Sequence, residues 1–199
     1  MSCFVGYLVA LAFLNRASAS SFTLINSCEY TVWPGIQAGA GTEELSSTGF
    51  ELRPGQSMTL EAPTGWSGRL WGRTLCTFDG EGEGKCATGD CGGSLQCNGK
   101  NAEPPATLVE FTLGQGVGVA LAQDFYDVSL VDGFNLPLIV ATKGGTGSCS
   151  TTGCVTDLNQ SCPKELQVDN DGSDSVACKK RLRGIRQPRL LLRRGLRES

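Results

Sequence analysis

The residues of this chain with the clearest chemical potential are cysteines, and three of them stand in one run of small residues. The run extends from Gly84 to Cys97 and contains Cys86, Cys91 and Cys97, together with four glycines and a Thr-Gly-Asp turn. Thiols either pair as disulfides or bind zinc as thiolates. The run has too few large side chains to build a core, so we predict a loop held by disulfides. The cysteine spacings lack the close pairs typical of zinc sites, so we expect no metal.

The sequence contains no histidine among its 199 residues. This excludes catalytic triads that use histidine as the general base, and it excludes metal sites with histidine ligands. We therefore expect no metal and no cofactor. The remaining candidates for chemistry are carboxylates, which can hydrogen-bond sugar hydroxyls or, as a pair with different pKa values, cleave a glycosidic bond.

The first nineteen residues are predicted to be a secretory signal peptide. An apolar run from Cys3 to Leu14 precedes the small-x-small pattern Ala17-Ser18-Ala19, and it is too short to span a membrane. No later stretch is long and apolar enough for a span, so we expect an extracellular or apoplastic protein, with the vacuole as an alternative. Cleavage would remove Cys3 and leave nine cysteines, so at least one thiol has no partner within the chain.

Charge divides the chain into an acidic body and a basic tail. From Ser20 to Cys178 the net charge is −12, whereas from Lys179 to Ser199 it is +8. Lys179 opens a segment rich in arginine, with no cysteine and no aromatic residue. This shift suggests an altered reading frame or a splice variant, and the alternative is a basic arm for anionic surfaces. We expect a disordered tail and no nucleic-acid partner.

The body of the chain is predicted to be an antiparallel β-sandwich. Short segments of alternating or β-branched residues are separated by Gly and Pro turns, and no window before Cys149 favours an amphipathic helix. The predicted strands are 50–52, 57–60, 68–74, 107–113, 125–130 and 136–141, with a strand or hairpin at 21–33 and glycine-rich loops at 34–41 and 114–118. The predicted organisation is a signal peptide (1–19), a sandwich domain (20–148), the beginning of a disulfide-rich second domain (149–178) and the tail (179–199).

The glycine and cysteine run resembles the signature of the thaumatin-like proteins, the group-five pathogenesis-related proteins of plants. That signature is Gly-x-Gly-x-Cys-x-Thr-Gly-Asp-Cys-x-Gly-x-x-x-Cys, and here it begins at Gly82. Further segments are similar to the family pattern, namely 28–34 (CEYTVWP), 71–79 (WGRTLCTFD), 104–111 (PPATLVEF) and 125–137 (FYDVSLVDGFNLP). The resemblance covers about residues 20 to 179 and implies a thaumatin-like fold.

The same resemblance implies a disulfide pattern. Family members have sixteen cysteines in eight disulfides, and the nine here correspond to the first nine. The expected local pairs are Cys76–Cys86, Cys91–Cys97 and Cys162–Cys178. Cys28, Cys149 and Cys154 would pair with cysteines near the family's C-terminus that this sequence lacks, so they are expected to be unpaired. The resulting expectation is a marginally folded sandwich, monomeric if folded.

The resemblance also implies a binding site, because the family carries an acidic cleft lined by one arginine, one glutamate and three aspartates. The matching residues are Arg69, Glu110, Asp127 and Asp132, and the third aspartate has no counterpart. The implied function is antifungal plant defence through binding of cell-wall β-1,3-glucan or the fungal surface. The alternatives are a weak endo-β-1,3-glucanase using Glu110 with Asp127 or Asp132, and a truncated product with impaired activity.

Three interpretations from the residues alone remain beside this one. Arg69 and Glu110 could be a structural ion pair, with Asp127 and Asp132 as turn residues. Asp90 is expected to form the turn between Cys86 and Cys91. Asn159 begins the sequon Asn-Gln-Ser and is a candidate N-glycosylation site in a secreted chain.

Overall fold

The computed structural model describes residues 20–115, 123–144, 151–170 and 175–181, and within them the fold is mainly β, as predicted. The predicted signal peptide, Cys149, the tail beyond residue 181 and most of the turn at 114–118 lie outside the described residues. The strands are β1 Ser20–Ile25, β2 Trp33–Ala38, β3 Ser57–Ala62, β4 Ser67–Phe78, β5 Gly84–Thr88, β6 Leu108–Thr112, β7 Phe125–Ser129, β8 Ile139–Val140, β9 Thr152–Gly153, β10 Gln167–Asp169 and β11 Ser175–Cys178.

Helical structure in the described part of the chain consists of two short 3-10 helices, Leu158–Ser161 and Lys164–Leu166. None of the described helices is long and apolar enough to cross a membrane.

Two antiparallel sheets pack face to face. One contains β1 and β3, and the other contains β2, β4, β6 and β7 in that order, with β5 added to the C-terminal part of β4. Ile36 and Leu70 from the larger sheet meet Leu60 from the smaller one around the fully buried Trp66. Removing this apolar surface from water is the main force that holds the two sheets together.

The disulfide loop covers part of the outer face of the larger sheet. Cys91 and Cys97 are fully buried there against Trp71 and Leu108, and the Trp71 indole donates a hydrogen bond to the carbonyl of Gly89 at 2.8 Å. A segment poor in apolar residues is therefore fixed by a disulfide and by the aromatic ring beneath it. The predicted loop is also partly a strand, because β5 pairs with β4 in the register that joins Cys76 to Cys86.

A buried polar group connects the sandwich to the segment that contains the last disulfide. The side chain of Asn135 accepts from the Thr107 amide (3.0 Å) and donates to the Gly72 carbonyl and the Thr88 hydroxyl (both 2.8 Å). The Asn159 amide donates to the Asn135 carbonyl at 2.9 Å. Since unpaired buried polar groups are costly, these bonds favour one arrangement of the two segments.

The prediction of a loop at residues 34–41 is wrong over most of that range, because β2 extends from Trp33 to Ala38. Gly35 pairs with Trp71 of β4, and a side chain at Gly35 would overlap the Trp71 indole. The glycine here makes room for a ring of the neighbouring strand, so a long-range contact overrides the local preference for a turn.

Candidate functional site

A row of polar side chains crosses the outer face of the larger sheet. Gln37 of β2 is the register partner of Arg69 of β4, which pairs with Glu110 of β6, which pairs with Asp127 of β7. We call Gln37, Arg69, Glu110 and Asp127 the polar row. Residues directly opposite each other on antiparallel strands share a face, with Cβ atoms about 4.5–5.5 Å apart. Three of the four residues implied by the resemblance therefore lie side by side.

Alternation along the strands explains why this row faces outward. The residues next in sequence, including Ile36, Leu70 and Phe111, point to the apolar core between the sheets. The row itself is open to water, since the Arg69 and Glu110 side chains are 39% and 40% exposed and Asp127 is exposed. The residues on each strand are thus divided between a core face and a face available to a ligand.

Arg69 and Glu110 form an ion pair that is open to solvent. The distance from Arg69 Nη2 to Glu110 Oε1 is 3.7 Å. Exposed pairs of this kind contribute about 0–1 kcal/mol to stability, because water screens the attraction and two side chains must be ordered. Breaking the pair would therefore cost little, which leaves both groups available to a ligand.

A shallow cavity of about 300 Å³ lies over one end of the row. Gln37, Arg69 and Glu110 line it together with Asn101, which comes from the chain after the disulfide loop. The Gln37 amide nitrogen donates to the Gly99 carbonyl at 2.9 Å. The polar row is thereby bordered by a wall that the disulfide loop supplies. The sequence did not identify Gln37 or Asn101 as site residues, because Gln37 lies in the predicted loop at 34–41 and Asn101 belongs to no recognised motif.

Asp132 lies apart from the row. It follows β7 in a turn, and its carboxylate accepts from Lys180 at 3.0 Å, with the two side chains 32% and 44% exposed. The Ala106 amide donates to the Asp132 carbonyl, which places Asp132 beyond the start of β6. The interpretation of Asp132 as a turn residue fits this position. Asp127, by contrast, is in the middle of a strand and not in a turn.

The structure contains the three disulfides that the resemblance implies, Cys76–Cys86, Cys91–Cys97 and Cys162–Cys178. Of the three cysteines expected to be unpaired, Cys28 and Cys154 are free thiols, and Cys149 lies outside the described residues. The described residues contain no cluster of three or more acidic or cysteine side chains that could hold a metal ion.

Asp90 forms the turn expected of it. Its carboxylate accepts from the backbone amides of Cys86 (2.8 Å) and Gly93 (2.7 Å), and the side chain is buried. Both carboxylate oxygens are thus occupied by the backbone of the disulfide loop. Asp90 holds the loop in shape and is not available to a ligand.

The burial and hydrogen bonds of Asn159 argue against its glycosylation in the folded protein. The residue is 9% exposed, and its side-chain nitrogen donates to the carbonyls of Asn135 (2.9 Å) and Val176 (3.4 Å). A glycan on this nitrogen would replace one of the two hydrogens that make these bonds. The sequon predicted a glycosylation site because the sequence alone does not show that Asn159 is buried.

Comparison with known proteins identifies the family of the chain. Residues 26–190 match the family model described as "Thaumatin family". This chain belongs to the thaumatin family. It is 55% identical over 164 residues to Pathogenesis-related thaumatin-like protein 3.5 of Cryptomeria japonica, a match that covers 82% of this chain and 65% of that protein. It is also 55% identical over 162 residues to Pathogenesis-related protein 5 of Arabidopsis thaliana, covering 81% and 64%.

The thaumatin family chain described here spans about two thirds of the length of these relatives. Thaumatin-like protein 1 of Prunus persica is 50% identical over 182 residues, which cover 91% of this chain and 72% of that protein. Among solved structures, the thaumatin-like xylanase inhibitor matches with a TM-score of 0.48 and 39% identity, over 59% of this chain and 72% of that one.

Proposed function

We propose that this thaumatin family chain is a secreted plant defence protein that binds the β-1,3-glucan of fungal cell walls through the polar row. The observation that carries the proposal is the alignment of Gln37, Arg69, Glu110 and Asp127 across four neighbouring strands, open to solvent. Defence is inferred from relatives that are named pathogenesis-related proteins.

The composition of the site suits a neutral polysaccharide. Sugar hydroxyls both donate and accept hydrogen bonds, and the row offers acceptors in Glu110 and Asp127 beside donors in Arg69 and the amides of Gln37 and Asn101. Hydrogen bonds with a charged partner are stronger than neutral ones, so the carboxylates and Arg69 would contribute most.

An exposed aromatic ring borders the same face. Phe125 pairs with Thr112 in the row next to Glu110 and Asp127, and it is 59% exposed. The flat side of a phenyl ring packs well against the C–H face of a sugar. Phe125 therefore supplies an apolar surface beside the hydrogen-bonding groups, a combination common in ligand sites.

Secretion is proposed from the three disulfides together with the predicted signal peptide. Structural disulfides form and persist in oxidising compartments, of which the plant cell exterior is one.

Binding is favoured over hydrolysis by the openness of the site. A glycosidase of the retaining kind needs two carboxyl groups about 5–5.5 Å apart, a spacing that cross-strand partners such as Glu110 and Asp127 could approach. The general acid, however, normally lies in an apolar pocket that raises its pKa, and here both carboxylates are open to water. Endo-β-1,3-glucanase activity is thus the second candidate.

The test is co-sedimentation of the purified chain with insoluble β-1,3-glucan, with insoluble β-1,4-glucan as the control ligand. Glu110→Gln should weaken binding to the β-1,3-glucan about tenfold, since one charged hydrogen bond contributes about 1.5 kcal/mol or more. The matched control is Glu61→Gln, an exposed glutamate on β3 of the other sheet. No sedimentation of the wild-type chain, or equal loss in both variants, would reject the proposal. Release of reducing sugar that Glu110→Gln abolishes would instead favour the enzyme.

A further inference from the structure

One asparagine of this chain is followed directly by a glycine, and this pair, Asn98-Gly99, lies just after the disulfide loop and beside the polar row. The Gly99 carbonyl accepts a hydrogen bond from Gln37 at 2.9 Å, and Asn101, two residues later, lines the cavity. Asn98 and Gly99 are both exposed. The pair is therefore open to water and is connected to the polar row through Gln37.

Asn98 and Gly99 are the two central residues of a tight turn. The Lys100 amide donates to the Cys97 carbonyl at 3.0 Å, and φ is +46° at Asn98 and +79° at Gly99. Positive φ at both central residues defines a type I′ turn, for which Asn-Gly is a preferred sequence. Neither the Asn98 carbonyl nor the Gly99 amide makes a hydrogen bond to another described residue. The peptide unit between them can therefore rotate without breaking a bond in the described part of the chain.

Rotation of this peptide unit brings two reactive groups together. It converts the turn from type I′ to type II′, in which the first central residue has φ of about +60° and ψ of about −120°. The bond from Lys100 to Cys97 is compatible with both types, and glycine tolerates the new negative φ at the second position. At this ψ the Gly99 nitrogen lies beside Cγ of the Asn98 side chain, which is the geometry in which a five-membered ring can close. Since glycine has no Cβ, nothing on residue 99 hinders the approach.

We propose that Asn98 is a self-modification site, at which water converts the asparagine to isoaspartate or aspartate through a cyclic imide. The Gly99 nitrogen loses its proton to base and attacks Asn98 Cγ. The bond between this nitrogen and Cγ forms, the bond between Cγ and Nδ2 breaks, and Nδ2 takes up a proton from water and leaves as ammonia. Water then opens the ring. Cleavage of the ring bond at Cγ gives aspartate, and cleavage of the ring bond at the main-chain carbonyl carbon gives isoaspartate.

Isoaspartate changes the wall of the polar row. The main chain then passes through Cγ, so one extra methylene group separates residue 98 from Gly99 and displaces the Gly99 carbonyl from Gln37. Either product also adds a carboxylate close to Glu44, whose Oε1 would be 3.4 Å from a Cβ at Gly99. Like charges repel, so the added charge also drives the wall away from its present position. We expect weaker binding of β-1,3-glucan by the modified chain, a consequence that rests on the proposed function.

Peptide mapping of the intact, folded chain tests the chemistry. The chain is aged at mildly alkaline pH in water that carries heavy oxygen and is then digested at acidic pH, which stops the reaction. Asn101 is the internal control, because it is also exposed but is followed by an alanine. Asn98 should take up the label and convert about tenfold faster than Asn101, since a Cβ on the next residue hinders ring closure. Equal rates at the two positions, or no isoaspartate at position 98, would overturn the proposal.

An NMR comparison that needs no sugar tests the effect on the wall. Asn98→Gln is the matched variant, because glutamine keeps the amide but must close a six-membered ring, which forms far more slowly. Ageing of the wild-type chain should move the side-chain amide signals of Gln37 toward those of a glutamine in water, and ageing of Asn98→Gln should leave them in place. Unmoved Gln37 signals in chains that contain isoaspartate would overturn the assigned effect on the wall.

Co-sedimentation with insoluble β-1,3-glucan connects the modification to binding. In an aged wild-type sample, isoaspartate at position 98 should be about threefold less abundant in the pellet than in the supernatant, which corresponds to less than 1.4 kcal/mol of lost affinity. Equal abundance in the two fractions would overturn the effect on binding. If the fresh wild-type chain does not sediment, the proposed function fails, whereas the rate at Asn98 and the Gln37 signals still decide whether the modification occurs and what it does to the wall.

Discussion

Replacing Arg73 by methionine should unfold this protein more readily than almost any other single change to a charged residue. Arg73 is fully buried on β4, and its guanidinium donates to the carbonyls of Trp33, Pro34, Ser94 and Leu95 and to Cys91 Sγ, at 2.7–3.2 Å. It therefore joins β2 to the disulfide loop. Burial lowers the pKa of Arg73 to about 10, while the Asp90 carboxylate opposes this, so the group stays charged at neutral pH.

The magnitude follows from the groups that would be left without a partner. Four carbonyl oxygens would lose the Arg73 donor, and Asp90 would lose its electrostatic interaction with the Arg73 guanidinium. A buried acceptor left alone costs about 1–3 kcal/mol, but such losses do not add when the groups share one network. Breaking a buried charged network typically costs about 3–5 kcal/mol, and we expect that range for Arg73→Met. This is a large part of the total of about 5–15 kcal/mol for a domain.

Urea unfolding with the disulfides intact measures the effect. Arg73→Lys should lose an intermediate amount, because a lysine keeps the charge but lacks the planar fork of donors. The control is Arg53→Met, whose side chain is 71% exposed and pairs with Glu51, and it should change the free energy of unfolding by less than about 0.5 kcal/mol. A free energy for Arg73→Met within about 1 kcal/mol of wild type, at an unchanged m value, would refute this reasoning.

Three further predictions concern single positions. Gly49→Ala should lower the free energy of unfolding in urea by about 1–3 kcal/mol or more, because the new Cβ would overlap the Leu95 carbonyl. Gly80→Ala is the control, since a Cβ at Gly80 would meet open space and should have little effect. Similar urea midpoints for the two variants would contradict this prediction. Burial and then the adjacent Cys28 raise the pKa of Tyr30 to about 12, so its neutral hydroxyl contributes stability below about pH 10, which is lost as pH rises toward 12. Tyr30→Phe should accordingly lose less Tm than wild type between about pH 9 and 11, and an equal loss would count against the shift. Mass spectrometry of the folded protein secreted from plant cells should find Asn159 without a glycan; a glycan on natively folded protein would disprove its burial.

Several elements of the fold could be predicted from local sequence because local rules determine them. The segments that became β6 and β7 alternate and are rich in β-branched and aromatic residues, so their existence and the mid-strand position of Glu110 were predicted. Their register was not, since alternation in one strand says nothing about which residue it faces in the next. The polar row is a property of register, and its first member, Gln37, was lost with the wrong loop at 34–41.

The polar residues of the interior could not be found from sequence. Arg73 follows Arg69 and Trp71 on the same face of β4, yet Arg69 is open to water and Arg73 is completely covered. The difference comes from the chain at 94–95, which folds over one part of the sheet and not the other. Asn159 shows the same limit, since its burial depends on Asn135, which is 24 residues away.

The most direct test of the central claim is an NMR titration of the isotope-labelled chain with a β-1,3-glucan oligosaccharide, with a β-1,4-glucan oligosaccharide as the control. The amide signals of Gln37, Arg69, Glu110 and Asp127 should shift together and saturate with the β-1,3-linked sugar, and they should shift much less in Glu110→Gln. An absence of shifts at saturating sugar, or shifts confined to the opposite sheet, would contradict glucan binding by the polar row.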